Sequence, residues 1–287
     1  MLRLSRPLHL LFITIAYILG VGAADHLGAK INIAAFWLGL TFICLAQISL
    51  NFLVEVFRPI NEPILPNETR AERFRLRDRL LVTALGLLGL AATCAYSLYV
   101  LGRLNSLTFN FVALAFIIVF ICAVPPFNLV RRGFAEFFFA LLIGYMSLAL
   151  GFLLQAEKFN RLLPVLALPL TLLAAACFIA FDFHSFASDI KYERLTLLTR
   201  LGWQRAVPLH HALVLAAFCL FAAAPLAGVS FALIRPAFFG LPFGILQILL
   251  LRNIANGAPP RWRALTLTAA TLFLLTTYSL TITLFLH

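Results

Sequence analysis

The chain has 287 residues, of which 63% are hydrophobic and 11% charged, and its mean hydropathy is +1.01. A folded soluble domain of this length carries about a quarter of its residues as charged groups, so a soluble enzyme is excluded. The formal net charge of +11 does not point to a nucleic-acid partner, because in so apolar a chain its meaning depends on which side of a bilayer the charges occupy.

The apolar residues fall in blocks of about 20, the length of one spanning helix, and nothing alternates in the manner of a transmembrane barrel. The expected class is therefore all-α: a polytopic membrane protein, one transmembrane domain over residues 1–287. Nine spans are predicted, at about 8–25, 32–54, 80–101, 107–124, 134–154, 162–181, 206–226, 230–251 and 264–286. The first lacks a small-residue cleavage site, so no cleavable signal peptide is expected. The eighth contains Arg235, Pro236 and Pro242, which predicts a late start or a kink. The longest connections, loops 55–79 and 182–205, leave no room for a soluble domain.

Lysine and arginine distribute unevenly over alternate sides. The N-terminus, both long loops and the segments around Arg131, Arg252 and Arg261 carry 17; the other side carries 4, namely Lys30, Arg103, Lys158 and Arg161, with Arg235 unassigned. The positive-inside rule then places the N-terminus and both long loops in the cytoplasm and His287 outside, in the cell membrane. Most carboxylates share that basic side, in or beside the two long loops, leaving Asp25, Glu136 and Glu157 elsewhere.

Two polar stripes stand out on that side. At the end of the second span, Gln47, Asn51 and Glu55 recur at helical spacing, and at the end of the sixth Asp182, Ser185 and Asp189 do the same if the helix continues. Ionisable groups at the edge of a long apolar span are costly and mark function by default, whereas most charges between Glu62 and Arg79 fit an ordinary solvated loop of Glu–Arg pairs. Two facing acidic helix ends suit Mg²⁺, which is often held by one or two carboxylates and completes its shell with water and phosphate oxygens. Beside arginine and lysine, such ends would offset the charge that develops on a departing diphosphate, and a long apolar cavity among the helices would hold an isoprenoid tail.

The stretch DFHSFASDIKYERLTLLTRLGW, Asp182 to Trp203, resembles the second signature of the UbiA-type intramembrane prenyltransferases. Asp182, Asp189, Lys191, Thr196, Leu197, Arg200, Leu201 and Gly202 fall in register without a gap. LSRPLHLL is similar to the family's Arg-Pro-His opening, NFLVEVFRPINEP sits where the first aspartate signature belongs, and PPFNLVRRGFAE resembles the loop before the fifth span. The resemblance covers nearly the whole chain and implies nine spans with a cytoplasmic N-terminus. Departures concentrate in the first signature. Asn51 is kept, but Phe52 stands at the first Asp position and Glu55 at the second; Phe57, Arg58 and Pro59 stand where a third Asp belongs; and Leu65-Pro66 replaces Arg-Pro. In the second signature Ser185, Ala187 and Glu193 stand where other branches carry Asp, Glu and Gly.

The resemblance implies an enzyme that transfers an isoprenyl group from a prenyl diphosphate to an aromatic or quinone-precursor acceptor or another lipid-soluble one, with Mg²⁺ as cofactor and membrane lipid around it. Glu55, Asp182 and Asp189 would hold metal, Asn51 would orient the first cluster, and Lys191, Arg131 and Arg132 would contact the diphosphate. The alternative is a non-catalytic member that binds an isoprenoid lipid or a partner protein, favoured by Phe52; a transporter fits less well because no inverted repeat is visible. Phe52 itself has two readings, a lost metal ligand or a packing residue in a shifted register. The five cysteines are expected to be buried hydrophobes, and the pair His210 and His211 interfacial histidines rather than ligands. Asn110 is expected to bond a neighbouring helix. A few of the 29 phenylalanines should line the isoprenoid cavity.

Overall fold

The structure, a computed structural model, describes residues 4–59, 61–65 and 68–286. Arg3, Ile60, Pro66 and His287, which enter the charge count, the first signature and the topology above, lie outside the described residues. Among the described residues nine helices are long and apolar enough to cross a membrane: α1 (Pro7–His26), α2 (Ile33–Val56), α3 (Arg70–Val100), α4 (Ser106–Ala123), α5 (Ala135–Ala156), α6 (Leu162–Lys191), α8 (Trp203–Ala222), α9 (Phe231–Ala255) and α10 (Trp262–Leu286). A short helix, α7 (Leu197–Leu201), lies between α6 and α8. The nine predicted spans are all present, and the chain is a multi-pass helical membrane protein.

The two long connections differ from the expected loops. A helix of 30 residues is about 45 Å long, well beyond a hydrocarbon core of about 30 Å, so α6 carries Asp182 and Asp189 past the bilayer edge on continuous helix. Likewise α3 begins at Arg70 rather than near Leu80, because Thr69 and Glu72 form a capping box: the Thr69 hydroxyl accepts from the Glu72 N–H at 3.2 Å while the Glu72 carboxylate accepts from the Thr69 N–H at 2.8 Å. As expected, the eighth span is broken: Phe231–Ile234 is helical, Arg235–Gly240 winds tighter, and a regular helix resumes over Leu241–Ala255. Pro236 and Pro242 withhold the donors that a continuous helix would need there.

α1, α5 and α6 are the most enclosed helices and form the centre of the bundle. Lipid tails are as apolar as leucine, so close approach through small residues, rather than hydrophobicity, drives such packing. Gly20 of α1 lies against the Leu148 carbonyl of α5, and Gly151 of α5 against the Tyr17 carbonyl of α1. The wider turn at Leu141–Met146 in α5 lies where Gly144 meets the backbone of Thr171. The perimeter, in contrast, exposes large apolar side chains such as Val82, Tyr96, Leu226 and Leu267, a surface that only lipid or another apolar partner covers without cost.

Two lesser expectations need correction. His210 is wholly buried, not interfacial: its ring bonds the Gln247 side chain at 2.9 Å and ties α8 to α9, since a polar group inside the bilayer must find a partner. Asn110 is exposed on the outer face of α4, so it does not join a neighbouring helix. The cysteines are free thiols; Cys122 and Cys177 are buried, while Cys219 is exposed on the perimeter.

Candidate functional site

The C-terminal ends of α2 and α6 and the N-terminal start of α5 lie together, and residues 57–59 and 61–62, 130–134 and 192–196 border them. The Glu55 end of α2 meets the N-terminal segment. Asn51, fully buried, accepts from the Gln47 amide at 2.9 Å and donates to the Ser5 carbonyl at 2.8 Å. That anchor sets Arg6 beside Glu55, at 3.1 Å. Arg6 holds a left-handed backbone (φ 51°), unusual for a non-glycine residue, and its guanidinium also lies 5.6 Å over the Phe139 ring. The other Glu55 oxygen meets Arg58 at 2.8 Å, and Arg58 reaches Glu62 at 3.3 Å.

The end of α6 completes the network. Asp189 is buried and accepts from the Ser185 hydroxyl at 2.7 Å, which verifies the one-face spacing of Asp182, Ser185 and Asp189. The helix then stops in a Schellman turn: the Arg194 N–H bonds the Asp189 carbonyl at 2.8 Å and the Glu193 N–H the Ile190 carbonyl at 3.2 Å, with Glu193 left-handed at φ 53°. This reversal folds Arg194 back over the helix end, 3.9 Å from both the Asp189 and Glu62 carboxylates. Burial lowers the pKa of Arg194, but Glu62, Asp189, Glu55 and Asp182 together raise it, so its charge is secure.

A third element brings in Glu136, at the start of α5. It is buried and accepts from the Leu197 N–H at 3.0 Å, while Arg200 donates to the Arg132 carbonyl at 2.9 Å and stacks over Phe134. These contacts pin the 125–136 loop onto the second signature. Glu136 and Asp182 lie side by side in the wall of a cavity of ≈ 100 Å³ whose remaining wall includes Arg6, His9, Phe139, Phe178 and Arg194. A second cavity of ≈ 130 Å³, lined by Arg58, Arg131, Glu193 and Arg194, adjoins it and shares Val130, Arg194 and Leu195. One chamber is thus rich in guanidinium and the next in aromatic rings and carboxyls. Both are small, and neither continues as the long apolar cavity expected for a tail; a roomier apolar groove of ≈ 470 Å³ lies between α3 and α4.

Glu55 and Asp189 are joined through Arg58, Glu62 and Arg194, and Asn51 anchors the segment that carries Arg6; Asp182 lines the cavity beside them, whereas Asn51, Glu55 and Asp189 line neither cavity. Arg131 lines the guanidinium chamber. Arg132 is exposed and donates to the Pro126 carbonyl at 3.2 Å, and Lys191 is exposed with its Nζ 5.3 Å from the ring of its neighbour Tyr192; neither lines the two cavities. Five participants were missed: Arg6, Arg58, Glu62, Glu136 and Arg194. Glu62, expected in a solvated loop, is 7% exposed, and the Glu–Arg pairing expected of that loop holds for Glu68 with Arg73, at 2.6 Å. Spacing carried a usable signal for Arg58, three residues after Glu55, and Glu136 satisfies the same cost argument as Asp182. Nothing local marks Arg194.

The two halves differ in their fit to Mg²⁺. Among the described residues no group of three or more His, Cys, Asp or Glu side chains is arranged to hold a metal ion. On the α5–α6 half, Asp182 Oδ2 and Glu136 Oε2 are buried with no donor from another residue among the described residues and stand within hydrogen-bond reach of each other, and two carboxylates side by side call for a cation or a proton between them. That half fits a single ion. On the α2 half, Glu55 is already clamped by two guanidiniums. Both of its oxygens are engaged in ion pairs, so a divalent ion there would have to displace Arg6 or Arg58, and that half does not fit one.

Two expected results follow from these surroundings. Phe52 is 5% exposed within the apolar core and lines neither cavity, which favours packing over a lost ligand. Phe52→Asp should destabilise the fold by up to about 3 kcal/mol without adding Mg²⁺ affinity, as thermal unfolding and metal titration would show. For Glu62, burial raises the pKa above 4.5, offset in part by Arg58 and Arg194. The folded state then binds the proton more tightly than the unfolded one, so this group's contribution is fully present below pH 4.5 and is lost as pH rises to its folded value. Glu62→Gln should remove that fall, read as a flatter melting temperature against pH above 4.5.

No family model matches the sequence, and no curated protein does. Solved structures do match the fold. A UbiA homolog from Archaeoglobus fulgidus bound to GPP and Mg²⁺ aligns with a TM-score of 0.65 at 18% identity, over 98% of this chain and 99% of that one. A digeranylgeranylglyceryl phosphate synthase aligns at 0.62 and 17% identity over 99% of both, and the apo UbiA homolog from Aeropyrum pernix K1 at 0.53 and 13% over 97% of both. The chain is similar to these proteins in fold from end to end.

Proposed function

We propose that this chain, which carries the UbiA fold over its whole length, is a membrane prenyltransferase that takes an isoprenyl group from a prenyl diphosphate and passes it to an aromatic or quinone-precursor acceptor. The observation that carries this reading is the pair of adjoining chambers, one walled by Arg58, Arg131 and Arg194, the other by His9, Phe139 and Phe178 with Glu136 and Asp182. The A. fulgidus homologues bound to GPP or DMAPP with Mg²⁺ support it.

In this scheme the diphosphate lies against the guanidiniums, whose planar forks match phosphate oxygens. The C1–O bond breaks with its electron pair leaving on diphosphate, a nucleophilic atom of the acceptor bonds to C1, and the proton that atom gives up passes to diphosphate or water. His9, Phe139 and Phe178 pack ring against ring at 5.0 to 5.9 Å, and aromatic faces of this kind stabilise a developing allylic cation while excluding water. Mg²⁺ held by Asp182 and Glu136, with Asp189 nearby, would supply positive charge to the departing group. The basic end faces the cytoplasm of a cell membrane, and residues 1–287 act as a single domain.

A second reading, a non-catalytic isoprenoid-binding protein, is favoured by the packed Phe52 and the clamped Glu55. Incubating purified protein with labelled prenyl diphosphates of several lengths, with and without Mg²⁺ and candidate acceptors, separates them. Turnover to a prenylated product is expected; tight binding with no release of diphosphate under any condition would establish the second reading instead.

A further inference from the structure

The arrangement of charges around the guanidinium chamber says more than that a diphosphate fits. Arg58, Arg131 and Arg194 line it, whereas the carboxylates that hold Arg58 and Arg194 in place, Glu55, Glu62 and Asp189, do not; among the described residues Glu193, at its exposed rim, is the lone acidic side chain in the wall. The arginines therefore stand between the cavity and their counter-charges. Arg194 meets its two carboxylates only at 3.9 Å, too long for a saturated hydrogen bond, so its donors are open to a better acceptor. Arg131 is exposed and forms no ion pair within the described residues.

The α2 half of the site, meanwhile, is built against a cation. Glu55 presents one oxygen to Arg6 and the other to Arg58, Phe52 is committed to packing, and Arg58 occupies the segment where the resemblance implies a further carboxylate. Residues that elsewhere would gather a metal here gather guanidinium.

Resting on the reading above, we propose that this chain has exchanged the metal of its first signature for arginine: Arg58, Arg131 and Arg194 hold the diphosphate directly, and no more than one divalent cation binds, on the Asp182 and Glu136 side. Guanidinium can take this place because it is permanently charged and offers several donors in a rigid plane, which suits bidentate contact with phosphate oxygens. It also removes any need to strip water from a second ion.

The test uses the full chain in detergent or nanodiscs with a non-reacting prenyl thiolodiphosphate as probe. Affinity is measured by equilibrium binding in EDTA and in Mg²⁺, and bound Mn²⁺ is counted by electron paramagnetic resonance at saturating probe. The expected result is that binding persists in EDTA, weakened by no more than about tenfold, with at most one Mn²⁺ per bound probe. Arg131→Gln should weaken binding in EDTA by about tenfold; this side chain is exposed and forms no ion pair among the described residues, so its loss leaves the fold intact. Arg58→Lys, which keeps the charge beside Glu55 but not the fork, should do the same while melting near wild type. More than one Mn²⁺ per probe, abolition of binding by EDTA, or unchanged affinity in both variants would overturn the exchange while leaving the prenyltransferase reading standing. Failure to bind the probe under every condition would overturn both.

Discussion

Arg194→Ala should be the most damaging single substitution at the site, lowering prenyl transfer by about a hundredfold or more and stability by about 3 kcal/mol. Among the described residues Arg194 alone touches both Glu62 from the α2 side and Asp189 from the α6 side, and it walls both cavities. Its removal leaves two buried carboxylates facing each other with less compensation, and truncating one member of a buried ion-paired network costs more than the network itself contributes. The two losses can be told apart. Arg194→Lys keeps the charge and should restore most of the melting temperature, while the fork that meets phosphate oxygens is gone, so diphosphate affinity should stay low. A Lys variant that recovers both would reduce Arg194 to a charge-balancing role.

Gly20→Val should lower stability by about 3 kcal/mol, with Gly151→Val equivalent. A Cβ on Gly20 would overlap the Leu148 carbonyl oxygen, and one on Gly151 would overlap that of Tyr17. Both obstacles are helix backbone, which cannot turn aside as a side chain can, so α1 and α5 would have to separate by at least about 1 Å in an interior packed to crystal density. The effect should reach the site, because α1 begins beside Arg6 and α5 begins beside Glu136. Thermal unfolding in detergent and probe affinity measured on the same samples check both parts. A Val variant that melts with wild type would mean that the two helices do not meet through these glycines.

The sequence by itself determined the class, the number of spans and the face that carries the site. Each of these depends on properties summed along the chain, namely the length of apolar blocks and the side on which charges collect, and lipid imposes them whatever the packing. The stripes Asn51–Glu55 and Asp182–Asp189 were legible for the same reason, since helical spacing is local. Tertiary structure alone decided what those carboxylates face. Glu55 read as a metal ligand until Arg6, 49 residues away, closed on one of its oxygens. Glu62 read as a loop charge until burial set it between Arg58 and Arg194. Lys191, in register with the signature, points out to solvent, while Arg194 turns inward because a left-handed Glu193 reverses the chain at that residue. Charge at a site is settled by which groups from distant segments come within about 4 Å of one another, since Coulomb energy falls with distance and rises as water is excluded, and no local pattern in the chain encodes that meeting.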